Sequence, residues 1–268
     1  RDAPDGRLTL SGYRDIASVD PFGLAPGIGN TLNALFVAHD NADYALLHGG
    51  SAAYETSLAT GLELAVGARV ERQTSVGREA ESAVNDFLGG SGLFPPDPPV
   101  DEGVFVGGQA RLSGVGAFRW HATADVLGGE GIITGRLHGE VRRGFGGRRG
   151  LTVRLKGGIA TSPTLRQSAF RIGGIGTVRG FDYGARQGQA FWAAQVDVAP
   201  IPGRLRPVFF VDAGQAGAVG GRFAGRVLVG AGVGLSLFGG LLRFDLSRAV
   251  SPDTRGKARF DVVVQGAR

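Results

Sequence analysis

Long runs of strict two-residue alternation constrain this chain more than any other feature of its sequence. In residues 225–238, Val227, Val229, Ala231, Val233, Leu235 and Leu237 fall on one face, and Arg226, Gly230, Gly232, Gly234 and Ser236 on the other. Successive side chains of an extended backbone point to opposite faces, so the pattern predicts a β-strand with one apolar face and one small or polar face. Residues 60–77 repeat it, with Leu62, Leu64, Val66, Ala68 and Val70 against Glu63, Arg69, Glu71 and Gln73. So do 116–127, where Phe118, Trp120, Ala122, Ala124 and Val126 oppose Arg119, His121, Thr123 and Asp125, and likewise 131–145 and 150–162. These runs are about ten residues or longer. A β-sandwich strand is typically about 5–6 residues, whereas a strand crossing a bilayer at a tilt needs about 9–11.

The alternation predicts twelve strands: 7–16, 44–57, 60–77, 103–113, 116–127, 131–145, 150–162, 187–200, 205–217, 225–238, 240–251 and 257–268. The fold class expected is therefore all-β, a single transmembrane antiparallel β-barrel domain over residues 1–268, with the even strand count of single-chain bacterial barrels. Ile28, Leu32, Leu35 and Phe36 recur at three- and four-residue steps, which predicts a short helix near 27–38 in a loop. Loops alternate in length around the chain. The longer set (17–43, 78–102, the turn near Gly128-Gly129-Glu130, 163–186, 218–224 and 252–256) is expected outside the cell. The turns near 58–60, 113–116, 146–149, 201–204 and 239 then face the periplasm, as do both termini. The run Pro95-Pro96-Asp97-Pro98-Pro99 falls in an outer loop, where missing N–H donors interrupt no ladder.

Composition excludes several other classes. Glycine supplies 48 of 268 residues and charged residues only 20%, with no collagen-like period. No stretch reaches 18 uninterrupted apolar residues, which argues against a transmembrane helix and leaves a barrel open. The absence of Met and the start at Arg1 lead us to expect that a signal peptide or upstream region has been removed. Zero Cys removes disulfides, thiolate metal sites and Cys nucleophiles. The formal charge of +5 is scattered singly among acidic residues apart from Arg142, Arg143, Arg148 and Arg149, so no one-signed stripe points to nucleic acid. Of the four histidines, only His48 has a nearby serine, Ser51, and no evident third group orients it; His121 and His138 lack a third ligand for zinc. We expect no catalytic residue, no metal and no cofactor.

One segment carries a family likeness. Gly173-Gly174-Ile175-Gly176-Thr177-Val178-Arg179-Gly180-Phe181-Asp182-Tyr183-Gly184 resembles the plug-loop segment of the BamA/TamA superfamily of outer-membrane assembly barrels, also called the bacterial surface antigen family. The core of that segment is Val/Ile-Arg-Gly-Phe/Tyr, matched here by Val178, Arg179, Gly180 and Phe181. Two strands later, Phe210-Val211-Asp212-Ala213-Gly214 resembles the superfamily's Phe-x-Asp-x-Gly strand motif, matched by Phe210, Asp212 and Gly214. Five strands follow the loop, as in the family. The likeness is good over 150–268 and faint before it.

The resemblance implies an outer-membrane barrel that inserts or translocates proteins, its lumen closed by an inward-folded loop, 163–186. It also implies a weak seam between the first and last strands. Asp212 shares a face with Val208, Phe210 and Gly214, so a lumen-facing carboxylate at mid-wall would seek the forked donor of Arg179. Gln195 and Asp197, on the same face of the intervening strand, are further candidates for that network. The partners implied are the lipid bilayer and client outer-membrane or secreted proteins. The sequence departs from the family in two respects: the usual barrel has sixteen strands and follows periplasmic POTRA repeats, whereas twelve strands and no repeat before residue 7 are expected here. The last strand has no terminal aromatic residue. Two other readings stay open at this point: an anchor or export barrel for an upstream domain of the same gene, and a passive pore.

Overall fold

The computed structural model describes residues 6–23, 31, 33, 41–77, 86–87, 98–146, 150–162, 164–220, 226–251 and 258–264. Twelve strands form one antiparallel sheet in which each pairs with its neighbours along the chain. They are β1 (Gly6–Ser18), β2 (Tyr44–Ala59), β3 (Leu62–Ser75), β4 (Gly103–Val115), β5 (Arg119–Gly129), β6 (Ile132–Phe145) and β7 (Gly150–Ala160). After a long connection come β10 (Ala190–Ala199), β11 (Leu205–Gly217), β12 (Leu228–Leu237), β13 (Leu242–Ala249) and β14 (Arg259–Val264). Each of the twelve overlaps an expected strand. Within the connection, β8 (Phe170–Ile172) and β9 (Arg186–Gly188) pair only with each other. This small hairpin was not expected, and three-residue strands are too short to show a period.

Local chemistry sets the turns. Between β5 and β6 the two linking residues, Glu130 and Gly131, both have positive φ, 52° and 78°, the mirror-image turn whose twist suits a two-residue hairpin. The expected helix near 27–38 falls almost wholly outside the described residues, which include only Thr31 and Asn33 of it. Most of the Pro-rich run, and the Arg148 and Arg149 part of the basic cluster, also lie outside them.

The two faces of the sheet are inverted relative to a water-soluble protein. On β11, Phe209 and Val211 are each 52% exposed, while between and beside them Phe210 and Asp212 are 3% and 0% exposed. The same holds on β6, where Ile133, Leu137 and Val141 are exposed and Thr134 and His138 buried. Charged and amide side chains buried on the inner face include Glu71, Asp125, Gln195, Asp197, Arg243 and Asp245. In water such an arrangement would be costly, because apolar surface is left wet and charge is desolvated.

The segment between β7 and β10 lies against the inner face. Its side chains and backbone touch β3 (Gln167 with Gln73), β6 (Leu165 with Thr134), β7, β10, β11 and β13. Strands that far apart in the sheet order can meet one segment only if the sheet curls around it. Phe170, Ile172, Val178 and Phe181 of the segment pack with Phe22, Phe191 and Ala193 into an apolar knot. Phe191 lies 4.8 Å from Phe170 and 5.2 Å from Phe22, centroid to centroid. Among the described residues, the ladder runs from β1 to β14 with no pairing between those two end strands.

Candidate functional site

The inner faces of β10, β11, β12 and β13 form the floor of the site. Register puts Asp212 of β11 beside Gln195 of β10 and Gly230 of β12, and Asp197 beside Phe210. Asp245 of β13 stands across from Gly234. Arg179 descends from the connection onto this floor and is 3% exposed. Its Nε donates to Asp212 Oδ2 at 2.6 Å and its NH2 to Asp212 Oδ1 at 2.6 Å, a two-pronged pair, while the Arg179 backbone N–H donates to Asp212 Oδ2 at 3.0 Å. The same guanidinium reaches Asp197 at 2.9 Å and Asp245 at 3.4 Å.

Arg243 completes the cluster, with Nε 2.6 Å from Asp245 and NH2 3.2 Å from Asp197, and Arg154 lies 3.6 Å from Asp197. Three arginines therefore meet three aspartates, and the formal charges of these six side chains balance. That balance matters because the desolvation cost of each ion is several kcal/mol, about what a well-made partner set must offset. The guanidinium of Arg179 also lies over the Phe210 ring, 3.7 Å from its centroid, with Arg243 at 5.2 Å on the same ring. A desolvated contact of that kind is worth about 2 kcal/mol.

Each position of the two sequence motifs has a physical reason in this geometry. Phe210 and Asp212 sit two apart on one face, so the ring carries the cation whose charge the carboxylate balances. Gly214 leaves space for Val178, whose methyl would lie 2.9 Å from a Cβ there. Gly180 has φ +88°, and a Cβ on it would run into the Arg248–Ala249 backbone. Asp197 joins the ion network. Gln195 does not; its Nε2 donates to the Ile175 carbonyl at 3.2 Å, holding the segment one turn earlier.

Sequence reading did not single out Gly230, Arg243 or Asp245. Gly230 faces the Arg179 carbonyl, which a Cβ would strike. The alternation Arg243-x-Asp245-x-Ser247 against Leu242, Phe244 and Leu246 is the available signal. Other ties hold the segment further up. Tyr183 donates to Asp20 at 2.8 Å, Arg171 pairs with Asp43, and Asp182 pairs with Arg259 of β14. Burial pushes the Asp20 carboxyl above its usual range despite the Phe22 N–H and Tyr183 bonds, and pushes the Tyr183 hydroxyl up as well, helped by the charges of Asp20 and Asp43. At the end of the ladder, Asn33 accepts from the Val262 N–H and donates to the Val262 carbonyl, both at 2.6 Å. A side-chain amide thus stands along β14 in the manner of a neighbouring strand. His138 is buried against Phe22 and Phe170, with its Nε2 3.5 Å from Asp125.

The site is thus an up-and-down antiparallel sheet, apolar on its exposed face and polar on its buried face, curled about a segment fixed by a buried ion network. Comparison with solved structures agrees at the level of the fold. The chain is similar to BamA from Haemophilus ducreyi lacking POTRA domains 1–3, with a TM-score of 0.59 and 12% identity over 96% of this chain and 57% of that one. It is also similar to CdiB from Acinetobacter baumannii, with a TM-score of 0.52 and 17% identity over 97% of this chain and 47% of that one. The chain thus shares the fold of these two proteins and spans about half their length. No protein-family profile matches the chain, and no curated protein matches it in sequence.

Proposed function

We propose that this chain is a β-barrel of the bacterial outer membrane that inserts or translocates client proteins, with its lumen closed by the segment 163–186. The observation that carries the reading is the buried bond set joining Arg179 to Asp212, Asp197 and Asp245 across three strands. An open passive pore has no use for a loop fastened this deeply. The apolar exposed face supports a lipid surround, since Phe209, Val211, Ile133 and Leu155 would each otherwise be wet. The absence of pairing between β1 and β14 among the described residues supports a seam that a client strand could use once it displaces Asn33 from the Val262 backbone, because an unpaired edge is a template for further pairing.

The chemistry required is modest: no bond is made or broken. The barrel offers a hydrogen-bonding edge at the level of lipid, and the fastened loop keeps the lumen sealed meanwhile. The test is reconstitution. Purified chain in liposomes of outer-membrane-like lipid should speed the folding of a small eight-stranded client barrel several-fold over empty liposomes. A client folding rate equal to that in empty liposomes, with the chain itself folded and oriented, would remove the assembly reading and leave an anchor or export barrel.

A further inference from the structure

One row breaks the apolar pattern on the outward face of β1, β2 and β3. Register sets Arg14 directly across from His48, and His48 directly across from Arg72, and all three are exposed. The next rows toward the short turns are uncharged: Gly12, Gly50 and Val70, then Leu10, Ala52 and Ala68, then Leu8, Tyr54 and Val66. That face of the three strands carries no acidic residue. The carboxylates nearby are engaged elsewhere. Glu71, on the opposite face, accepts from Tyr13, Arg69 and Gln73; Asp15 accepts from the Ile16 N–H, and Glu102 from the Ser75 N–H. Among the described residues, Arg14, His48 and Arg72 have neither an ion pair nor a hydrogen bond from their side chains. Basic side chains directly opposite on paired strands stand about 4.5–5.5 Å apart at Cβ and repel one another, so the row calls for an anion from outside the chain.

The height of the row says where that anion comes from. Arg72 lies about ten residues beyond Leu62, the first residue of β3 after its short turn. At about 3.3 Å per residue and a tilt of about 40°, this is roughly 25 Å of height, the thickness of the apolar band of a membrane barrel. The row therefore stands at the band's edge on the side of the longer loops. Toward the opposite edge the outward cation is Arg143, which lies 4.6 Å from the ring centroids of both Phe118 and Phe145. Arg143 is thus accommodated by the chain's own aromatic faces, whereas the row is not. Directly beneath the row the surface is shallow: a Cβ on Gly12 would meet nothing within 4 Å, and one on Gly50 would meet only the Ser11 carbonyl, at 3.3 Å. With Ala52 and Ala68 below them and exposed Leu10 and Val70 beside them, these glycines leave an apolar furrow running down from the cations.

We infer that this face binds a phosphorylated lipid of the outer leaflet, its phosphate on Arg14, His48 and Arg72 and an acyl chain in the furrow below. The inference rests on the outer-membrane reading above, with the longer loops outside. Arginine stems lie along apolar surface while their heads reach headgroup level, and the guanidinium fork suits phosphate oxygens. A lipid answers both features at once. A free phosphate would leave the furrow unused, and an acidic protein segment would have to place polar backbone against it.

Bisphosphorylated lipid A is the probe. In native mass spectrometry from maltoside micelles, the chain should retain one lipid A before any second, and the same lipid stripped of its phosphates should bind at least about tenfold more weakly. Arg14→Gln and Arg72→Gln should each weaken lipid A binding about fivefold, and the pair together about twentyfold, while Arg143→Gln should leave it within about twofold. Gly12→Leu fills the furrow without touching the charges and should weaken binding about threefold or more. Unchanged heat-modifiable gel mobility of each variant establishes that it is folded. Equal binding of the dephosphorylated lipid, an equal loss with Arg143→Gln, or displacement of lipid A by millimolar pyrophosphate would overturn the inference. Faster client folding without lipid A binding would remove this inference and leave the assembly reading standing. Lipid A binding on the row with client folding no faster than in empty liposomes would do the reverse.

Discussion

Replacing Arg179 tests how firmly the inward segment is fastened, and the absence of cysteine from the chain supplies a clean reporter. Val178 is 0% exposed and packs over Gly214, so Val178→Cys places a thiol that a reagent reaches only when the segment lifts from the wall. Removing Arg179 strands Asp212, itself 0% exposed, without its two-pronged partner and without the cation it shares with Asp197. Breaking one half of a buried pair costs about 3–5 kcal/mol. At about 1.4 kcal/mol per factor of ten, the lifted population should rise about 10²–10⁴-fold, and the labelling rate with it. In the Val178→Cys background, then, Arg179→Ala should label faster by that factor. Asp212→Ala should do less, because Asp197 and Asp245 still hold the guanidinium. Adding Asp212→Ala to Arg179→Ala should bring the rate part of the way back, because it removes the buried carboxylate that the single change strands. A rate for Arg179→Ala within threefold of the reference would refute the claim that this network fixes the segment.

Three further outcomes follow from the same geometry. Gly180→Ala should raise Val178→Cys labelling more than tenfold, because a left-handed non-glycine residue costs about 1–2 kcal/mol and its Cβ meets the Arg248–Ala249 backbone; an unchanged rate would contradict it. Phe210→Leu removes the ring under Arg179 and Arg243 and should raise labelling about thirtyfold, the equivalent of the roughly 2 kcal/mol of a desolvated cation–π contact. For Asp20 the sign is fixed by its raised folded pKa. The folded state holds that proton more tightly, so its contribution to stability grows as pH falls through the folded pKa and levels off below the ordinary value of 3.8. Urea unfolding of the native chain against Asp20→Asn should show the difference moving in favour of the native chain as pH is lowered from 7 toward 4; a pH-independent difference would contradict it.

Much of this architecture is legible in the sequence because a period of two is a local property. Val227 to Leu237 declare their face without reference to anything distant, and the same alternation separates Phe209 and Val211 from Phe210 and Asp212. The pairing of Arg179 with Asp212 was reachable through two short motifs. What no local pattern discloses is anything that depends on where the inward segment comes to rest. Gly230 reads as one more small residue until the Arg179 carbonyl lies against it, and Asn33 reads as a loop amide until it meets Val262, 229 residues away. The β8–β9 hairpin rests on three pairs of residues and a glycine-rich neighbourhood, too little for a periodic signal. Arg14, His48 and Arg72 fall at ordinary alternating positions, and only cross-strand register brings them into one row.

The central claim is that a fastened segment closes the lumen, and ionic current through single molecules tests it most directly. In planar bilayers the native chain should conduct little, with rare brief openings, and Arg179→Ala should open or flicker at a conductance set by the cleared lumen. A steady open channel in the native chain, unchanged by Arg179→Ala, would contradict the account.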